Sequence, residues 1–175
     1  LPECTFLERT DNIIVRKGLK PKLALRRKVI EPRFDTKPRW WIFKQLGELG
    51  VLGILIPEEY GGAGLGYVEY VLVLEELGAI DGGVGLSVAA HNSLGTWPLD
   101  AFGTEDQKRK YLPAAASGKM LVSYGLTEPE AGSDAGATRT TAVLDGEEWV
   151  LNGSKSWITN AGHAGLFILT AVTDR

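Results

Sequence analysis

The sequence predicts an α+β fold, a helical domain over residues 1–120 followed by a β domain over residues 121–175. Three observations predict it. Apolar residues recur at helical spacing in the stretches before residue 118. β-branched residues and tight-turn dipeptides take over after residue 120. Helices precede strands rather than alternate with them, the order of an α+β chain. A length of 175 residues, with 44% apolar and 23% charged content, suits one globular domain or one domain plus part of another.

Residues 1–40 are broken by Pro21, Pro32 and Pro38. A helix is expected within Lys22 to Ile30, ended by Pro32. Trp40, Ile42, Phe43, Leu46 and Leu49 form the apolar face of the next helix, which Gly50 should stop. Gly61, Gly62 and Gly64 mark a tight turn. It lacks both the Gly-Lys-Ser/Thr of a phosphate loop and the strand–Gly-x-Gly-x-x-Gly–helix order of a dinucleotide site. Tyr67, Val71, Leu74 and Leu77 predict a further helix, with Tyr70 and Val73 beside that face. Val84 to Leu94 is apolar nearly all round and predicts a buried helix. Thr104 and Gln107 form a capping box opening a helix that should end near or shortly after Pro113.

Strands are expected at Leu121–Leu126, Thr138–Leu144, Trp149–Leu151, Ser156–Thr159 and Leu166–Val172. Asp145-Gly146 is a strong hairpin turn, and Asn152-Gly153 a second. The β portion reaches Arg175 without an evident closing partner, so further sequence is expected beyond it.

Net charge is −3, with a basic excess in residues 1–44 and an acidic one afterwards. A basic start is compatible with nucleic acid or a membrane surface. Without aromatic interleaving or zinc-ligand spacing it reads as a solvated helix face, and no nucleic-acid partner is expected. The lone Cys4 precludes a disulfide within the chain and a cysteine-built zinc site. His91 and His163 are too few for a three-histidine metal centre. His91 reads as a satisfied core or pocket histidine and His163 as a loop residue. No metal site and no membrane-spanning segment are expected. Leu1 to Thr5 lack the pattern of a signal peptide.

Two segments carry candidate chemistry. In residues 123–134 a strand passes into a loop of hydroxyls, acids and glycine. Amides near Gly132, with Thr127 and Ser133, suit a phosphate, and they equally suit an ordinary polar turn. In residues 152–160, Trp157 and Thr159 are two apart and would share one face of a strand. An aromatic beside a hydroxyl suits the wall of a planar cofactor, and Trp157 equally suits a core position.

Tyr124-Gly-Leu-Thr-Glu-Pro-Glu-Ala-Gly-Ser-Asp134 resembles the first signature of the acyl-CoA dehydrogenase family, and Trp157-Ile-Thr-Asn160 resembles its flavin-contacting segment. Ile56-Pro-Glu-Glu-Tyr-Gly-Gly-Ala-Gly64, His91-Asn-Ser-Leu-Gly95 and Phe102-Gly-Thr-Glu-Asp-Gln-Lys108 continue the likeness in order over residues 40–175. Glu130 departs from the small or amide residue usual there, and residues 1–39 fit the family poorly.

The resemblance implies a helical N-terminal domain followed by an incomplete β-barrel-like middle domain. It implies FAD-dependent oxidation of acyl-CoA thioesters to trans-2-enoyl-CoA, a carboxylate removing the α-proton and the flavin accepting the β-hydride. Electrons would pass to an electron-transferring flavoprotein. Tyr124, Leu126 and Thr127 would border the flavin ring. Trp157 would cover one ring face, and Thr159 would donate near N5. Ser133 would lie at the pyrophosphate and the CoA pantetheine. Ser87, Ala90 and Leu94 would line the acyl-chain pocket.

The family's base is a glutamate of a C-terminal domain. No residue here matches it, so no catalytic residue is assigned and the 175-residue chain alone is expected to be inactive. Alternatives are a non-catalytic acyl-CoA or flavin-binding module and an acyl-CoA oxidase. A full-length homodimer or homotetramer is implied, cytoplasmic in a bacterium or in the mitochondrial matrix of a eukaryote.

Overall fold

The computed structural model describes residues 5–8, 40–146 and 148–173. Cys4 and the helix expected between Lys22 and Ile30 lie outside the described residues.

Helix α1 spans Trp40–Glu48 and buries Phe43 and Leu46, three residues apart on one face. Leu49, expected on that face, is exposed because the helix has ended and Gly50 turns left-handed at φ 80°. The glycine turn that follows is structural. The amides of Ala63, Gly64 and Leu65 donate to the carbonyls of Gly53, Ile56 and Ile54 at 2.8, 2.9 and 2.9 Å. A Cβ on Gly62 would collide with the Ile56 carbonyl. With those amides already used, the turn has none of them left for an anion.

Helix α2, Tyr67–Ile80, buries only Tyr70, whose hydroxyl donates to the Ala89 carbonyl at 3.0 Å. Leu74 and Leu77 pack on Phe43, Leu52 and Val88, whereas Tyr67 and Val71 of the expected apolar face are exposed. Helix α3, Gly82–Ala89, is capped by the Asp81 carboxylate, which accepts from the amides of Gly83 and Val84. The single buried helix expected over Val84–Leu94 is corrected in two respects. Leu86 and Leu94 are exposed, and the winding widens to a π-helix over Ala90–Thr96.

Two local causes favour the wider turn. Pro98, at the start of helix α4 (Trp97–Phe102), has no N–H and would crowd the carbonyl of Leu94 in a regular helix. Ser93 and Thr96 hydroxyls also donate back to the carbonyls of Ala89 and Asn92 at 2.7 and 3.0 Å. Helix α5, Glu105–Ala116, opens with both bonds of the capping box, Thr104 N–H to Gln107 at 2.8 Å and Gln107 N–H to Thr104 at 3.3 Å.

Strand β1 (Thr5–Glu8) is an element the sequence did not announce. It pairs antiparallel with β5 (Ala164–Leu169), and β5 pairs parallel with β2 (Leu121–Gly125). Ala164, Leu166 and Ile168 of β5 are buried in alternation. Strands β3 (Thr141–Asp145) and β4 (Glu148–Asn152) form the expected hairpin, with Gly146 at φ 68°. The last strand ends at Leu169 rather than Val172. Val172 instead bridges Thr141 and ties the hairpin to the end of β5.

The core is shared between the two regions. Ile56, Leu99 and Leu112 from the helical side pack with Val122, Leu166 and Ile168 from the sheet. Gly95 brings the π-helix against β2, where a Cβ would sit 2.7 Å from Val122 Cβ. Among the described residues the fold is thus a helical N-terminal region followed by a β region, with one three-stranded sheet that takes in β1 and one two-stranded sheet, short of a closed barrel.

Candidate functional site

A cavity of about 220 Å³ opens where the helical and β regions meet. Ala90 and Leu94 of the π-helix form one wall. Tyr124 at the end of β2, with Leu126 and Thr127 just beyond it, forms the floor. Trp157, Ile158 and Thr159 form the opposite wall. Seven of the residues singled out from the sequence therefore converge from three separate segments: Ala90, Leu94, Tyr124, Leu126, Thr127, Trp157 and Thr159.

Ser87 and Ser133 do not line the cavity. Ser87 contributes its carbonyl, which accepts from Asn160 Nδ2 at 3.0 Å. Ser133 is exposed in the loop after Glu128.

Trp157 and Thr159 share the cavity for a reason other than the one expected. Residues 156–159 are not a strand. They form a loop in which Trp157 and Asn160 both take left-handed backbone, at φ 59° and 65°. That conformation is common for Asn but costly for a bulky residue, and it persists because the surroundings impose it. Ser156 N–H donates to the Thr127 carbonyl at 2.8 Å, and Ser123 Oγ donates to the Thr159 carbonyl at 2.7 Å. With the Asn160–Ser87 bond, these fasten the loop to β2 and α3. Trp157 is left 92% exposed and takes no part in the core formed by the described residues.

Behind the floor lies a buried ion pair that sequence reasoning missed. Lys155 Nζ stands 2.8 Å from Glu128 Oε1, with side chains 9% and 6% exposed. Burial works against the Glu128 charge. It is outweighed by Lys155, by the nearby Thr140 hydroxyl (which lacks full hydrogen-bond geometry) and by the Arg139 and Thr140 amides. The carboxyl is held down at about 2. The remaining signal in the sequence was a lone lysine between two serines beside Trp157, too common a pattern to read. Glu130, nearer the surface, pairs with Arg139.

His91 is fully buried next to Ala90, and its Nδ1 accepts the Val122 amide at 3.0 Å. It is a buried residue beside the pocket, as the sequence suggested, but only one of its two ring nitrogens is satisfied. Burial pushes its pKa down to about 4, against a smaller opposing pull from the Leu52 and Ala115 carbonyls. Nε2 makes no well-formed hydrogen bond, so those carbonyls act on it only as nearby dipoles. His163 lies exposed in a turn. Among the described residues no cluster of three or more His, Cys, Asp or Glu could hold a metal. Among them, too, no helix is long and apolar enough to cross a membrane.

The cavity is mostly apolar, flanked by an outward-held indole and two threonine hydroxyls, a combination that fits a flat heteroaromatic group. Comparison with known proteins agrees with that chemistry. Residues 14–119 match the acyl-CoA dehydrogenase N-terminal domain, and residues 123–175 match the acyl-CoA dehydrogenase middle domain. The chain belongs to the acyl-CoA dehydrogenase family.

A probable acyl-CoA dehydrogenase of Bacillus subtilis is 56% identical over 133 residues, covering 76% of this chain and 35% of that protein. An acyl-CoA dehydrogenase from Bacillus anthracis, solved in complex with FAD, superposes with a TM-score of 0.74 at 42% identity, covering 88% of this chain and 26% of the other. The prolyl acyl carrier protein oxidase AnaB superposes at 0.73 with 40% identity, covering 77% and 36% of the two chains. This chain spans about a third of the length of the curated relatives it matches.

Proposed function

We propose that this chain supplies the helical wall and the flavin-facing wall of an FAD-dependent acyl-CoA dehydrogenase acting on acyl-CoA thioesters. One observation carries the reading. Residues assigned by resemblance to the flavin (Tyr124, Leu126, Thr127, Trp157, Thr159) and to the acyl chain (Ala90, Leu94) meet in a single cavity. A hydride donor and its acceptor must lie in contact, and this arrangement provides for that.

In this reading the Trp157 indole packs on one face of the ring. Thr127 and Thr159 hydroxyls donate to its heteroatoms and fix its orientation. Ala90 and Leu94 offer the acyl chain an apolar wall that excludes water beside the reacting carbons. Ser133, exposed outside the cavity, is assigned to the pyrophosphate and CoA end, and Ser87 acts through its carbonyl on Asn160. FAD, when bound, supplies the hydride acceptor that no side chain can provide.

The α-proton requires a base, and Glu128 is unfit for that role because it is buried in an ion pair away from the cavity. The base is assigned to a glutamate outside these 175 residues. Electrons would leave to an electron-transferring flavoprotein in a full-length dimer or tetramer. The cytoplasm of a bacterium or a mitochondrial matrix suits that chemistry.

The test uses the full-length protein. It should bind FAD, and anaerobic titration with butyryl-, octanoyl- or palmitoyl-CoA should bleach the oxidised flavin band near one equivalent. Trp157→Ala should lower flavin retention on gel filtration by roughly tenfold or more. A full-length protein that takes up no flavin would remove the reading. Fast reoxidation by air with substrate turnover would move it to the oxidase class, to which the similar AnaB structure belongs by its description.

A further inference from the structure

The Lys155 ammonium has three N–H donors, and three acceptors surround it: the Leu126 carbonyl at 3.0 Å, Glu128 Oε1 at 2.8 Å and Thr170 Oγ1 at 3.1 Å. Glu128 is equally engaged. Its Oε1 also accepts the Thr140 amide at 3.0 Å, and its Oε2 accepts the Arg139 amide at 2.7 Å. The pair thus joins the cavity floor, the approach to β3, the residue after β5 and the start of the Trp157 loop. Neither side chain lines the cavity, yet each is a near chain neighbour of residues that do. Thr127 adjoins Glu128, and Trp157 stands two residues from Lys155.

Stability alone explains such a pair poorly. Desolvating two charges costs about as much as their attraction returns, and apolar replacements are often no less stable. What the ammonium gives that an apolar group cannot is direction. It draws a carbonyl, a carboxylate and a hydroxyl from three segments to one point.

We propose that Lys155 and Glu128 are positioning residues, a buried ion pair that holds the loop of residues 126–128 against the loop of residues 155–159 and so sets the spacing between the floor of the cavity and its Trp157 wall. The pair acts through Thr127 and Trp157 and touches neither cofactor nor substrate. The inference deepens the flavin-site reading and rests on it for its functional consequence, though not for its structural one.

The decisive variant is the neutral double substitution Lys155→Met with Glu128→Gln, compared with wild type and with Lys155→Met alone. Gln keeps one carbonyl oxygen, which can accept one of the Arg139 and Thr140 amides, and removes the unpaired charge. In the ligand-free protein, amide hydrogen exchange followed by mass spectrometry should run about tenfold faster or more in residues 126–128 and 155–159. Helix α5 should be unchanged, and the melting temperature of the double variant should recover toward wild type relative to Lys155→Met. A pair serving only stability would recover loop protection together with melting temperature, and that outcome overturns the proposal. So does faster exchange spread equally into α5.

Should the double variant fail to fold, Glu128→Gln alone should give a threefold or greater acceleration confined to the same loops. Wild-type protection there overturns the proposal. In the full-length FAD-loaded protein, the double variant should bind FAD about tenfold more weakly and change the shape of its visible circular-dichroism band. An unchanged affinity and band overturn the proposal. If wild type takes up no FAD, the flavin reading falls, while the exchange experiment still decides whether the pair positions the loops.

Discussion

The two walls of the cavity are built on different physics. The π-helix wall that presents Ala90 and Leu94 is backed by packed side chains, with Val88, Leu99 and His91 fully buried around it. The opposing wall is backed by polar bonds. Its largest side chain, Trp157, is almost wholly exposed, and its loop is held by the Ser156, Ser123, Lys155 and Asn160 bonds. Packing is tolerant of direction but intolerant of lost volume. Hydrogen bonds are the reverse, each weak in net terms but exact in geometry. A site with one wall of each kind can keep an adaptable apolar surface on one side while presenting donors at fixed points on the other.

The largest expected effect tests the packed side. Leu99→Ala removes a fully buried side chain beneath the π-helix and should destabilise the protein by roughly 2–5 kcal/mol in urea unfolding. A loss under about 1 kcal/mol would mean that the helical wall is not held by packing.

Acid separates the two walls. His91 ordinarily titrates at 6.5 and is pushed to about 4 in the fold. Between those values the unfolded chain binds a proton that folded His91 refuses, so stability is full above pH 6.5 and falls as pH drops to about 4. The total is on the order of 3 kcal/mol. Glu128, lowered from 4.5 to about 2, gives stability that is present above pH 4.5 and lost as pH falls through 2. The packed wall should therefore weaken first. Replacing His91 by Gln should flatten the stability profile between pH 6.5 and 4 and leave the lower limb intact. An unaltered upper limb would assign that titration elsewhere.

Between the walls runs the Asn160–Ser87 bond. Asn160→Ala loses it and places alanine in left-handed backbone, at an expected cost of about 1–2 kcal/mol. Asn160→Gly relieves the backbone and should recover part of it. The smallest effect belongs to the largest residue of the site. Trp157→Ala should change the free energy of urea unfolding by no more than about 0.5 kcal/mol, because its indole is exposed. A larger loss would show that the β-side wall also depends on packing.

How much of this was legible in the sequence follows the same division. Features set within a few residues read correctly: the Thr104–Gln107 box, the Asp145-Gly146 hairpin and the stop at Gly50. The family signatures pointed to the residues that gather around the cavity. What failed was decided at long range. Ser156–Thr159 has the composition of a strand. Its conformation is imposed by bonds to Ser123, Leu126, Thr127 and Ser87, 29 to 73 residues away. Tyr67 and Val71 share a helical face with Leu74 and Leu77, but the described residues provide a neighbour only for the latter pair. The π-helix was hidden because an apolar run looks alike at either winding. Pro98, placed four residues after Leu94, and the hydroxyls of Ser93 and Thr96 were the local hints.

The parallel pairing of β2 with β5 also has a bearing on time. Its strands and the loops above them are joined through contacts distant in sequence, so the chain must close long loops before any of those bonds can form. The helices, with local contacts, can form early. The cavity is therefore expected to assemble late on the way to the native state. Stopped-flow experiments should see substitutions at Lys155 or Asn160 as faster unfolding with little change in folding rate, and substitution at Leu99 as a change in both.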